Sequence, residues 1–285
     1  DFFPYASSPY AYWTGYYTSR PTLKDYIQRT NNFLQVCKQL DTLAQLGPMD
    51  NDDVSALEKV LGVTQHHDAI SGTAKQHVTY DYAQRLDKGI IECQDAVDDA
   101  YRKLMDKGAM KVPRQYFCPL LNISVCNMTE LLGEFAVTVY NPVARPVTYY
   151  ARLPVTGPAR VRDGNAADGY QVYDTDGSTP VPFQLIPLSL PTRTIPERGG
   201  SKASHELVFF VDLPPMGWKT FFVRNTQNNE IVETNSHGDD SVDDADAMRA
   251  TVRFEGRVSG SLYFKQGKVG GPVRVNGYLG GLMPG

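Results

Sequence analysis

Two histidines and an aspartate stand side by side in residues 65–73, whose sequence is QHHDAISGT. A neutral imidazole is the commonest protein ligand of zinc, and a carboxylate beside it can hold a polar substrate. Because neighbouring side chains on a backbone point in different directions, His66 and His67 are not expected to share one metal easily. One of them and Asp68 can still face the same pocket. The alternative is a solvated helix start that binds nothing.

An aromatic segment, residues 1–21, is the second candidate for chemistry. Its prolines exclude a regular amphipathic helix. Aromatic faces at this density suit stacking on the apolar face of a sugar ring. The alternative is a packed loop that anchors the next element. The aromatic residues are Phe2, Phe3, Tyr5, Tyr10, Tyr12, Trp13, Tyr16 and Tyr17.

Composition places the chain among globular proteins and excludes two classes of partner. Of its 285 residues, 41% are hydrophobic and 21% are charged, and the net charge of −4 offers no basic field for nucleic acid. No apolar run approaches the about 20 residues that a membrane helix needs. The sequence begins at Asp1 instead of Met, so we expect a processed piece or a fragment, and a missing targeting segment says nothing about compartment.

A short loop between Cys118 and Cys126 contains one N-glycosylation sequon and is followed at once by another. The acceptors are Asn122, in Asn-Ile-Ser, and Asn127, in Asn-Met-Thr. Two sequons around a close cysteine pair favour the secretory pathway, where disulfide bonds persist. The alternative is a cytosolic protein whose four cysteines stay reduced.

Helical periodicity predicts three helices between residue 22 and residue 104, and we assign residues 22–111 to a three-helix bundle. The first runs to about residue 46, with Pro21 before it and Gly47 after it as boundary signals. Cys37 and Cys93 fall on core-facing positions of the first and third helices, so a bridge between them is geometrically reasonable. The His-His-Asp turn would lie at one end of this bundle.

From residue 112 onward the pattern changes to short strands separated by turns, which predicts a β-sandwich-like domain over residues 112–224. Residues 225–248 are polar and acidic and are predicted to be a linker. Residues 249–285 return to glycine-rich strands. The predicted fold class is therefore α+β, with several domains. The predicted strands are 135–140, 147–153, 170–173, 181–188, 206–213 and 218–223.

Four motifs in order carry a resemblance to a known family. They are DFFPYA at residues 1–6, YWTGYYTSRP at 12–21, NFLQVC at 32–37 and QHHDAISGT at 65–73. Together they resemble lysosomal-type α-mannosidase, a zinc-dependent retaining enzyme of glycoside hydrolase family thirty-eight. The resemblance runs from Asp1 to about Val223 and corresponds to the middle portion of that enzyme.

The resemblance implies a role for each site residue. His67, the second histidine of the motif, would bind one zinc ion, and Asp68 would hydrogen-bond mannose hydroxyls. Trp13 would stack near the cleavage site, and His66 would contact substrate or orient the ligand. The family also implies disulfide bonds between Cys37 and Cys93 and between Cys118 and Cys126.

The resemblance also implies which groups come from outside this chain. Family members take their other zinc ligands, the aspartate nucleophile and the general acid from an N-terminal catalytic domain, which residues 1–21 would complete. Retaining glycosidases need two carboxylates about 5–5.5 Å apart, and no such pair can be named in this sequence. We therefore expect this chain to be inactive alone and to assemble with N-terminal and C-terminal portions of the same enzyme.

These observations lead to one hypothesis and one alternative. The hypothesis is part of a lysosomal or secreted α-mannosidase that hydrolyses terminal α-mannose of N-glycans. The alternative is a non-catalytic secreted glycan-binding or structural glycoprotein. Residues 249–285 have a short, glycine-dominated resemblance to the opening strands of a copper/zinc superoxide dismutase, which would give the alternative a C-terminal segment of that kind. Otherwise these residues form an ordinary glycine-rich β-meander of the sandwich.

Overall fold

The computed structural model describes residues 4–47, 51–106, 112–157 and 169–226, together with three short strands further on. The described residues fall into two compact units, one up to residue 106 and one from residue 112 onward. The first is helical and the second is built mainly of antiparallel strands. The predicted α+β class is confirmed. No helix among the described residues is long and apolar enough to cross a bilayer.

The described part of the first unit contains three α-helices: α1 (Pro21–Ala44), α2 (Asn51–Thr64) and α3 (Gln76–Met105). Pro21 starts α1 at a position where its missing N–H costs nothing. The left-handed Gln45 ends the helix by donating its N–H to the carbonyl of Thr42 at 3.2 Å. The ends of α1 and α3 lie within about two residues of the positions that apolar periodicity predicts.

The helices pack on one another through the faces that the sequence marks as apolar. Leu40, Leu57 and Leu86, one from each helix, are fully buried. Cys37 and Cys93 form a disulfide bond between α1 and α3, with their Cα atoms 6.2 Å apart. Closing a loop of this length stabilises a fold by about 4 kcal/mol in the chain-entropy description. The helical unit therefore combines a buried core with a covalent link.

The described residues after the helical unit contain β-strands and two short α-helices. The elements are β1 (Gln115–Phe117), α4 (Asn127–Leu131), β2 (Glu134–Asn141), β3 (Val147–Val155), β4 (Tyr170–Tyr173), β5 (Phe183–Pro187), α5 (Leu190–Arg193), β6 (His205–Leu213), β7 (Gly217–Asn225), β8 (Thr251–Val252), β9 (Leu262–Tyr263) and β10 (Arg274–Gly277).

These strands form two larger sheets and one separate strand pair. β2 pairs with β7 and β7 with β4, all antiparallel, while β10 lies parallel between β1 and β2. A second sheet has the antiparallel order β3-β6-β5, and β8 pairs with β9.

Alternate residues of the long strands build one core in the second unit. Val137 on β2, Leu153 on β3 and Leu207 on β6 are almost completely buried, and they belong to the same apolar cluster. This two-residue period is what the sequence predicts for strands with one buried face. The disulfide-bonded Cys118 and Cys126 belong to this cluster as well, with their Cα atoms 5.2 Å apart. The prediction of disulfide bonds is thus confirmed.

A buried carboxylate and a buried guanidinium fasten the disulfide loop to the segment before β6. Glu130 accepts hydrogen bonds from the N–H groups of Cys126 at 3.0 Å, Lys202 at 2.7 Å and Ala203 at 3.2 Å. Arg198 donates to the carbonyls of Ile123 at 3.1 Å, Ser124 at 3.3 Å and Ala203 at 2.8 Å. The exposed fractions of Glu130 and Arg198 are 8% and 6%. Their charges are therefore satisfied by backbone dipoles.

Two predicted segments lie wholly or mostly outside the described residues. The acidic linker predicted over residues 225–248 is described only as far as residue 226. Of residues 249–285 only β8, β9 and β10 are described. The domain boundaries predicted from the sequence remain predictions.

Candidate metal and sugar site

The histidine turn, defined as residues 65–73, connects α2 to α3. Local hydrogen bonds close its backbone: the N–H of Ala69 donates to the carbonyl of His66 at 2.9 Å, and the N–H of Ala74 donates to the carbonyl of Asp68 at 2.9 Å. Ala69 is completely buried and anchors the turn in the helical unit. The backbone itself therefore holds the turn in one conformation.

His66, His67 and Asp68 form a cluster of metal-ligand type at the surface. Their ligand atoms, one from each residue, lie within 4.8 Å of one another. The Nε2 atoms of His66 and His67 are 3.3 Å and 3.6 Å from Oδ2 of Asp68, and the two imidazole centroids are 4.2 Å apart. The expectation that the histidines diverge is wrong. The backbone here passes through successive tight turns, where neighbouring side chains need not alternate as they do in a strand.

Asp68 is held in place by hydroxyl groups that follow it in the turn. The hydroxyl of Thr73 donates to Oδ1 of Asp68 at 2.9 Å. Ser71 contacts the Thr73 hydroxyl at 2.9 Å and donates to the carbonyl of His67. The Thr73 hydroxyl and the two imidazoles lower the pKa of the Asp68 carboxyl, because each favours its charged form. The carboxylate is thus oriented by Thr73 and kept ionised.

The three side chains differ in how far they reach into solvent. The side chain of His67 is 85% exposed, against 46% for His66 and 48% for Asp68. An imidazole exposed to this degree is not a satisfied core histidine, and its ring nitrogens are accessible to a ligand from outside. Imidazole nitrogens and a carboxylate oxygen at this spacing match the donor chemistry of zinc. The residues present therefore fit the metal that the sequence resemblance implies.

Trp13 lies outside this cluster, on an aromatic hairpin that we define as residues 5–13. An antiparallel bridge joins Ala6 to Tyr12, and the N–H of Trp13 donates to the carbonyl of Tyr5 at 2.7 Å. The indole packs edge-on against the ring of Tyr5 at a centroid distance of 5.3 Å, yet it remains 55% exposed. The indole is therefore accessible to a sugar or to another protein segment.

Sequence reasoning misses the residues that orient the site. Thr73 stands in the motif as one small residue among several, whereas the structure bonds it to the Asp68 carboxylate. Ser19, just before α1, and Lys24, in the first turn of α1, also contact the histidine turn, although the sequence analysis assigns neither side chain to the site. A threonine five residues after a candidate carboxylate, within a run of small residues, is the only sequence signal that points to the first of these contacts.

Comparison with protein families matches two parts of the chain. Residues 11–104, which contain the whole histidine turn, match the alpha mannosidase middle domain. Residues 181–223 match the lysosomal alpha-mannosidase-like central domain. Both matches lie inside the region where the sequence motifs carry the resemblance.

Curated relatives agree with these matches. The lysosomal alpha-mannosidase of Bos taurus is 39% identical over 232 residues, covering 80% of this chain and 21% of the relative. The lysosomal alpha-mannosidase of Homo sapiens is 38% identical over 227 residues, covering 78% of this chain and 20% of the relative. This chain therefore spans about a fifth of the length of these relatives. It belongs to the lysosomal-type α-mannosidase family and matches the middle portion of these enzymes.

A solved structure adds little to this assignment. An alpha-mannosidase from Enterococcus faecalis V583 aligns over 74% of this chain and 24% of its own, with a TM-score of 0.38 and 15% sequence identity. A likeness this low supports no argument about the site. Both family matches end before residue 249, so the superoxide dismutase resemblance of residues 249–285 gains no support from them.

Proposed function

We propose that this chain is the middle portion of a retaining α-mannosidase of the lysosome or secretory pathway. The complete enzyme would hydrolyse terminal α-mannose of N-glycans during glycoprotein breakdown. The observation that carries the proposal is the His66–His67–Asp68 cluster, which lies within the segment that matches an alpha mannosidase middle domain. The non-catalytic glycoprotein alternative has no comparable support.

Each site residue has a proposed task. His67 gives one ligand to a single zinc ion, whose other ligands come from another portion of the enzyme. Zinc, when bound, would supply Lewis-acid contact to vicinal sugar hydroxyls and favour distortion of the ring. Asp68, oriented by Thr73, accepts hydrogen bonds from mannose hydroxyls, and His66 contacts the substrate or orients its neighbour. Trp13, which is 55% exposed, stacks on the sugar.

Each part of the chain has a proposed share in this task. We propose that residues 22–111 act as a three-helix bundle that carries the histidine turn, and that residues 112–224 form a β-sandwich-like domain. Residues 1–21 would complete a catalytic domain that also supplies the nucleophile and the general acid. The packing of α1 and α2 on α3 and the shared core of the two larger sheets support this division.

Native mass spectrometry with metal counting, combined with an α-mannoside hydrolysis assay, tests the proposed function. The protein is purified with its natural flanking sequence. We expect this protein to hold bound zinc and to hydrolyse α-mannosides. A protein that binds no zinc and does not hydrolyse α-mannosides would favour the non-catalytic alternative.

The sequons bear on the proposed compartment. Asn122 and Asn127 are exposed, but the hydroxyls that complete their sequons are used inside the fold. Thr129 is 1% exposed and donates to the carbonyl of Pro154, and Ser124 is 5% exposed. Because the enzyme that transfers the glycan must reach the sequon hydroxyl, we propose that both asparagines are glycosylated before this region folds.

This order of events gives a testable prediction. The unglycosylated chain, folded and oxidised, should accept glycans in vitro at least about 10-fold more slowly than the same chain reduced and unfolded, because only the open fraction reacts. Site occupancy is measured by mass spectrometry of the glycopeptides. A reduced peptide spanning residues 118–131 is the control and should react at the unfolded rate. Equal rates for the folded and unfolded chains would contradict the prediction.

A further inference from the structure

We propose that Ser19, Arg20 and Lys24 are positioning residues that set the histidine turn relative to the aromatic hairpin, and so align Asp68 and His67 with Trp13. The proposal rests on the proposed function, since it concerns the geometry of that same site. Nothing in the sequence motif of the turn itself points to these three residues. They act through contacts across the helical unit.

The three side chains donate to two carbonyls of the turn, those of Ile70 and Gly72. Ser19 Oγ donates to the carbonyl of Gly72 at 2.8 Å, and Arg20 Nη1 donates to the same oxygen. Lys24 Nζ donates to the carbonyl of Ile70 at 2.7 Å. Two of the three donors are charged, and all three bonds are partly buried, which strengthens them relative to exposed neutral bonds. We call this group of contacts the α1 clamp.

The backbone at Gly72 packs so closely against Ser19 that no side chain fits between them. Gly72 has a φ of +75°, and a Cβ atom added to it would lie 2.4 Å from the carbonyl oxygen of Ser19. Arg20 itself adopts a left-handed conformation, with a φ of 50°. A non-glycine residue with positive φ needs support from its surroundings, and here its guanidinium also reaches Gln76 at the start of α3. This close fit is independent of the clamp's hydrogen bonds.

Short contacts connect the clamp to the proposed sugar-binding groups on both sides. On one side, Gly72 is followed by Thr73, whose hydroxyl holds the Asp68 carboxylate. On the other side, the N–H of Ser19 donates to the carbonyl of Gly15 at 3.0 Å, two residues after Trp13. A change in the clamp therefore shifts the turn and the hairpin relative to each other. A misplacement of about 1 Å can cost about 100-fold in rate.

The test uses three variants in the complete enzyme. Arg20→Ala and Lys24→Met each remove a charged donor. Arg20→Lys keeps the charge but loses the planar guanidinium that donates to both Gly72 and Gln76. Lys88→Met is the matched control, because Lys88 is exposed on α3 away from the clamp. Readouts are kcat and KM for an α-mannoside, zinc release to a chelator, and hydrogen exchange at residues 69–74. Exchange in the 285-residue chain gives a readout that does not depend on activity.

We expect Arg20→Ala and Lys24→Met to raise hydrogen exchange in the histidine turn, to lower kcat/KM by about 10-fold to 100-fold and to speed zinc release. Arg20→Lys should recover part of each effect, and Lys88→Met should match the wild type. Unchanged exchange in Arg20→Ala and Lys24→Met would overturn the clamp. Raised exchange with unchanged kcat/KM and zinc release would overturn its positioning role. Absence of α-mannosidase activity from the wild type would instead overturn the proposed function, so the two failures are distinguishable.

Discussion

Replacing His67 with alanine in the complete enzyme should remove the bound zinc and lower kcat by more than about 100-fold. The side chain of His67 is 85% exposed and lies in a cluster of metal-ligand type, so its loss deletes the most accessible donor of that cluster. Catalytic zinc sites use three protein ligands, and a site reduced by one binds metal poorly. Zinc is counted by native mass spectrometry, and kcat is measured on an α-mannoside.

Two further histidine variants make this result specific. His77→Ala removes an exposed histidine of the first turn of α3 and should leave both zinc and kcat unchanged. His66→Ala should keep the zinc, because His66 is not a proposed ligand, and should weaken substrate binding, because its proposed task is to contact the substrate or to orient its neighbour. An enzyme that retains its full zinc content after His67→Ala would show that the metal assignment is wrong.

The sequence is most informative where a repeat of apolar residues or a rare local composition marks an element. The apolar period predicts where α1 and α3 end to within about two residues, since each helix buries a single continuous face. The histidine turn stands out because adjacent histidines and an aspartate are uncommon. Neither signal contains information about contacts between distant segments.

The features of the fold and of the site that the sequence does not predict depend on such distant contacts or on very short elements. The α1 clamp joins Ser19 to Gly72, and hydrogen bonds between a side chain and a remote carbonyl leave no periodic trace. The histidine rings lie side by side because of successive tight turns, whose geometry is set by local hydrogen bonds instead of residue type. α4, with five residues, is too short to show a helical period.

The same limitation hides the two buried charges of the second unit. In the sequence, Glu130 resembles an ordinary acidic residue after a sequon, and Arg198 resembles a loop arginine. Only the fold brings the disulfide loop and residues 198–203 together, where each charge is surrounded by backbone groups of opposite polarity. A buried charge without such partners would be costly, so these contacts are required for the local fold.

Glu130→Ala should therefore destabilise the second unit by about 3 kcal/mol, because three backbone N–H groups lose their acceptor within a buried region. For the predicted domain of residues 112–224 this corresponds to a fall in Tm of roughly 10–20 °C. Unfolding of the 285-residue chain is followed by circular dichroism with temperature and with urea. Glu130→Gln keeps one carbonyl oxygen and should lie between alanine and wild type.

Glu197→Ala is the matched control, because Glu197 precedes Arg198 in the same segment but is exposed. Its effect should stay within about 0.5 kcal/mol, as expected for a surface substitution. If Glu130→Ala were no more destabilising than Glu197→Ala, the buried carboxylate would not be what fastens the disulfide loop. The expected difference between the two glutamates arises from burial and backbone contacts alone, since their charge and their side-chain length are identical.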